Sequence, residues 1–281
     1  MSTTATRRPA RGAIVGSPSS STALGAIVRR GLRDQRRAAL AWGGGFGAFG
    51  ALMVAIWPSL EGSMSELVDS YPDGLKEAFG IVRLDTVERF VDAELLSLIL
   101  PMALAFLAVR CVVQATVGAE DRGHLDTLLS LPVSRRVVMI ASVVVTGALL
   151  AAILAVVWAL TWLAGTVAGT GISASTLASG LGNVWPLAMV FAGLAALVAG
   201  LAHRPSTATC VASGTLVAMY AIDLVGKLAD AAEPLRWISA FRYYGSAIQQ
   251  GFDVGHVAVL TVAALVLTIA GAALFERRDV L

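Results

Sequence analysis

Apolar runs near twenty residues recur along this chain, at 38–57, 95–117, 138–163, 184–201, 207–226 and 255–275. As helices rising about 1.5 Å per residue, such runs can cross a hydrocarbon core of about 30 Å. The pattern predicts an all-α fold: a polytopic membrane protein with six transmembrane helices. Charge supports it, because only 14% of the 281 residues are charged and 57% are hydrophobic, whereas a soluble domain carries about 25% charge. No charged, mixed-pattern stretch is long enough to form a soluble catalytic module.

Residues 1–22 are rich in Ser, Thr, Pro, Gly and Arg and lack apolar periodicity, so they read as a disordered tail. Residues 23–281 form the transmembrane domain. It begins with Leu24, Ile27, Val28 and Leu32 along one side and Arg29, Arg30, Arg33, Arg36 and Arg37 around the rest. That is the pattern of an interfacial helix whose arginines reach anionic lipid head groups. A nucleic-acid role for these arginines is set aside because the run leads directly into a span. Signal-peptide cleavage is also set aside: no small-residue cleavage site follows, and further spans do.

The first span carries Gly43, Gly47 and Gly50, small residues that permit close helix contact. It closes at Trp57-Pro58, with tryptophan favoured at an interface. Segment 59–94 is an acidic outer excursion containing a Tyr71-Pro72-Asp73-Gly74 turn. Leu84, Val87, Val91 and Leu95 return along it at helical spacing. Pro101 is placed to kink the second span. Arg110 leaves two readings open, a side chain facing the substrate or one snorkelling to the interface. Segment 165–183 reads as an uncharged link. Asp223 lies near the outer end of the fifth span, four residues before Lys227 and in position to pair with it. Segment 228–254 reads as one or two short helices dipping into the outer interface, with Phe241 periodic and Trp237, Tyr243 and Tyr244 suited to that depth. Cys111 and Cys210 read as small buried hydrophobes.

With both termini inside, fourteen Lys and Arg fall in inner segments and six in outer ones, out of 21 in the chain. This obeys the positive-inside tendency. It places the stretch from Val117 to Val138 in the cytoplasm, the most informative polar interruption in the sequence. There Leu125, Leu128 and Leu129 line one face of a short helix that Pro132 would end.

Glu120-Asp121-Arg122-Gly123, the leucine-bearing helix with Leu128, and Pro132-Val133-Ser134-Arg135 together resemble the corresponding loop of type-2 ABC exporter permeases. Phe241-Arg242-Tyr243-Tyr244 and the ending Phe275-Glu276-Arg277-Arg278-Asp279 are similar to theirs as well. The resemblance implies a six-helix transmembrane subunit of a bacterial ABC exporter in the cell membrane. It implies a second permease copy, as homodimer or related heterodimer, and two copies of a cytoplasmic ATPase. Carried onto this sequence, ATPase coupling falls to Glu120, Asp121, Gly123, Leu128, Pro132 and Arg135, and the interfacial helix to Arg29, Arg30, Arg33 and Arg36. Arg110, Asp223, Phe241 and Tyr244 are candidates for the translocation path or gate.

The residues ask for a partner independently. No Gly-rich phosphate loop followed by Lys-Ser/Thr is present in the sequence, nor a nucleophile–base set or HExxH helix. The chain is therefore expected to be no enzyme and to bind no cofactor or metal, with ATP and Mg held by the partner ATPase. The expected cargo is hydrophobic or amphipathic. Glu120 either complements the dipole of its helix or pairs with a basic residue of the ATPase. Arg136 faces lipid or the ATPase. Two other functions compete: a secondary transporter, which needs membrane-embedded acids and finds only Asp223, and a non-transporting assembly factor or scaffold.

Overall fold

The computed structural model describes residues 25, 28, 29, 31, 33, 35–69, 86–122 and 134–277, with the side chains of 61–69 and 230 excepted. The tail 1–22, Arg30, the turn at 71–74, Leu84, Gly123, Leu128 and Pro132 lie outside the described residues. Every described element is helical. In order they are α1 (Arg36–Asp69), α2 (Val87–Val91), a π-helical turn (Asp92–Leu96), α3 (Ile99–Ala115), α4 (Val117–Asp121), α5 (Arg135–Ala168), α6 (Ala174–Leu201), α7 (Pro205–Leu228), a 3-10 helix (Asp230–Ile238), α8 (Ala240–Tyr244) and α9 (Val254–Glu276).

Five helices are long and apolar enough to cross a membrane, and α2 with the π turn and α3 makes a sixth if that pair, bent by 41°, is one span. The bend falls at Ser97-Leu98, where Leu98 leaves helical dihedrals at φ −140 and ψ −55. Pro101 follows in the first turn of α3, where its missing N–H costs little. The proline thus sits just past the break and not at a kink inside the span.

Helix α6 is the centre of the bundle and packs against α9, α3, α5 and α7, while α1 lies outside on α5. Burial follows this order: 67% of the apolar windows of α5 and α6 are buried, against 22% for α1, α7 and α9. The α6–α9 contact is close because glycines face backbone. A Cβ on Gly193 would stand 2.7 Å from the Ala264 carbonyl oxygen, and one on Gly200 2.8 Å from that of Gly271.

The glycines of α1 are used in the same way. A Cβ on Gly43 would meet Val156 at 2.9 Å, one on Gly47 would meet Leu160 at 2.6 Å, and one on Gly50 would strike Thr161. This small-residue face is occupied by α5 of the same chain, so it is not available to a second copy.

Several ends differ from the hydropathy reading. Helix α1 continues through Pro58 to Asp69. Helix α5 ends at a left-handed Gly169, φ 66, with Thr170 N–H returning to the Gly165 carbonyl at 3.1 Å. Only a few residues then separate it from α6, which Ser173 caps by accepting from Thr176 N–H. The uncharged link is therefore mostly helix, because Leu177 and Leu181 are buried against the core. Cys111 is half-buried and Cys210 is exposed on α7, a correction to their reading as buried hydrophobes.

Candidate functional site

Two polar constellations interrupt the apolar bundle, one at each end. The first is at the end that carries the start of α1 and the finish of α9. Thr116, with φ −112 and ψ −96, breaks the helix between α3 and α4 and returns its hydroxyl to the Val112 carbonyl at 2.7 Å. This redirects the chain so that Glu120 faces the start of α5, where Ser134 caps the helix by accepting from Val137 N–H at 3.4 Å. Arg135 then donates Nη1 to Glu120 Oε1 at 3.1 Å, the two side chains being 14% and 30% exposed. The same guanidinium stands 5.8 Å over the centroid of the Phe275 ring near the end of α9. Arg122 instead returns to α3 and donates to the Gln114 side chain at 2.8 Å, and Asp121 is exposed.

Glu120 and Arg135 are therefore partners of each other across the roots of segment 123–133, a pairing that sequence reasoning did not weigh. Of the arginines around the start of α1, Arg29, Arg33 and Arg36 are exposed. Helical bonds from Gln35 N–H to the Gly31 carbonyl and from Ala39 N–H to the Gln35 carbonyl carry this segment into α1. Gly31 itself abuts Val145 of α5, whose methyls a Cβ would meet at 3.0 Å.

The second constellation surrounds a cavity of about 170 Å³ at the opposite end, between the π turn, α7, the 3-10 helix and α8. It brings together Asp223, Phe241 and Tyr244 of the residues singled out from the sequence. Arg110 is not among them: it is exposed on α3. Asp223 is buried and accepts from Lys227 at 2.9 Å and from Arg236 at 3.0 Å. The chain comes so close here that a Cβ on Gly226 would strike the Arg236 side chain. Phe241 packs edge-on to Tyr220, centroids 5.4 Å apart, and at 5.9 Å from Phe191. The Tyr244 hydroxyl donates to the Leu96 carbonyl at 2.8 Å, and the Asn183 amide donates to the Tyr244 carbonyl.

Asp92 is the residue that the sequence concealed. Counted among the acids of a solvated loop, it is buried at 5% exposure. Its Oδ2 accepts from Ser246 Oγ at 2.5 Å and from Gln249 Nε2 at 2.9 Å. Together with Ser239, whose hydroxyl donates to the Met219 carbonyl at 2.7 Å, and with the Asn183–Tyr244 bond, these bonds fasten segment 229–250 to the π turn, α7 and α6. Among the described residues no group of three His, Cys, Asp or Glu is placed to hold a metal.

Long apolar helices around a buried centre, with a charged cluster at each end, define a polytopic helical membrane protein. The chain belongs to a multidrug efflux permease family: residues 28–276 match the one described as "Multidrug efflux system permease Rv1217c, C-terminal domain". That membership agrees with the resemblance to type-2 ABC exporter permeases. No curated protein matches the chain closely enough to be counted as a relative.

Proposed function

We propose that this permease is the membrane subunit of an ATP-driven exporter, powered by two copies of a separate cytoplasmic ATPase that carry the ATP and Mg. The observation that carries this reading is the clasp Glu120–Arg135–Phe275. It ties the end of α4, the start of α5 and the end of α9 at the roots of segment 123–133. A displacement of that segment by a partner would be shared among three helices, two of which pack on the central α6. In this reading Asp121, Gly123, Leu128 and Pro132 meet the ATPase, while Glu120 and Arg135 hold the lever rigid. The termini and segment 123–133 lie in the cytoplasm, and segment 229–250, the lid over Asp223, Phe241 and Tyr244, closes the exit. The cargo is hydrophobic or amphipathic, and a second permease copy completes the path.

Charge exchange tests the clasp. Glu120→Arg and Arg135→Glu alone should uncouple ATP hydrolysis from export while membrane insertion persists. The double exchange should restore at least part of the coupling. If both single variants export as wild type does, the clasp has no part in transmission.

A further inference from the structure

The outer cavity has one more cation than it has carboxylates among its described lining residues: Lys227, Arg236 and Arg242 against Asp92 and Asp223. Both acids already hold donors, Asp223 from Lys227 and Arg236, and Asp92 from Ser246 and Gln249. Arg242 is different. No described carboxylate pairs with it, and its guanidinium carbon stands 4.0 Å from the centroid of the Trp237 ring. A cation–π contact uses the charge of the guanidinium without engaging its N–H donors, which remain able to bind an oxyanion.

The 3-10 helix that carries Trp237 presents an apolar surface beside the cavity. Leu235, Trp237 and Ile238, all on the short 3-10 helix, are 55%, 62% and 65% exposed. Size restricts the ligand further. At about 170 Å³ the cavity is smaller than the roughly 300–1,000 Å³ of sites that enclose a drug-sized molecule. It suits a carboxylate or phosphate head with the first few carbons of a chain.

We infer that this cavity is a binding site for the anionic head of an amphiphile. Arg242 donates to the head, Lys227 adds positive potential, and the tail lies outside along Trp237 and Ile238. The inference does not depend on what drives transport. The same head chemistry is supplied by an anionic lipid of the surrounding leaflet or by a free anionic amphiphile presented as cargo.

Trp237 provides the readout. The full chain is reconstituted in phosphatidylcholine nanodiscs and titrated with bromododecanoate, whose bromine quenches indole, with bromododecanol as the uncharged control. The acid should give a saturable quenching component that Trp237→Phe removes, and the alcohol should bind about ten-fold more weakly. Arg242→Gln should weaken the acid by about ten-fold, and Arg242→Lys, which keeps the charge but lacks the planar fork, measurably but by a smaller factor than Arg242→Gln. Thermal unfolding of each variant checks that the fold survives. Equal quenching by acid and alcohol, or unchanged binding in Arg242→Gln, overturns the inference. Phosphatidylglycerol added to the discs then separates the sources. Competition with the acid identifies a lipid head, and its absence identifies a free amphiphile, the site standing in both cases.

Discussion

Breaking the Glu120–Arg135 clasp should destabilise the permease by an amount its geometry bounds. At 3.1 Å and an effective dielectric near 20, the bare attraction is about 5 kcal/mol. Desolvation and the ordering of two side chains offset most of it. With exposures of 14% and 30%, the pair stands between a surface ion pair, worth about 0–1 kcal/mol, and a fully buried one. A coupling energy of about 1–2 kcal/mol is expected from a double-mutant cycle of Glu120→Gln and Arg135→Met. Arg135→Met alone should cost more than the coupling, about 2–3 kcal/mol, since it also removes the stack on Phe275, worth about 0.5–1 kcal/mol. Mixed-micelle unfolding of the four proteins measures the cycle. Single effects that add to within about 0.3 kcal/mol would show no energetic coupling and refute the clasp.

Three further outcomes follow from other parts of the structure. Gly200→Ala should lose about 1–3 kcal/mol of unfolding free energy because its Cβ would press on the Gly271 carbonyl, whereas Gly44→Ala, with open space around it, should be neutral or slightly stabilising. Asp92→Ala should cost about 1–3 kcal/mol by stranding the Ser246 hydroxyl and Gln249 amide, and Asp92→Asn less, because it retains an acceptor; equal losses would remove the argument. Asp253 caps α9, and the His256 N–H and then the Gly255 N–H it accepts hold its carboxyl below the usual 3.8. A lowered folded value gives stabilisation that is present above the unfolded value and lost as pH falls through the folded one. The stability of wild type relative to Asp253→Asn, itself a good cap, should therefore decline below about pH 4, and a difference constant from about pH 6 to 2 would contradict it.

The helical membrane architecture was legible because apolar run length is a local property, readable without knowing any partner. The Asp223–Lys227 pair was legible for the same reason, since four residues on one helix are neighbours by geometry. Arg236 joins the same carboxylate from 13 residues away, after the chain has left α7 and turned through a 3-10 helix, and no periodicity announces that. Asp92 was illegible for a stronger reason: its donors are 154 and 157 residues distant, so its local context of acids read as a solvated loop. The glycines of α1 showed that a helix would approach closely but not which one, and it is α5 of the same chain. Glu120 and Arg135 were both singled out as interaction residues, yet their mutual contact requires the turn at Thr116, which no local signal predicts.

The central claim is tested most directly by transport in inside-out vesicles containing the chain and the ATPase that co-purifies with it, using a fluorescent amphipathic dye as cargo. The account predicts dye uptake that requires hydrolysable ATP, stops when the ATPase carries a mutated phosphate-loop lysine, and persists when an uncoupler collapses the ion gradients. Uptake that continues without the ATPase and collapses with the uncoupler would contradict it.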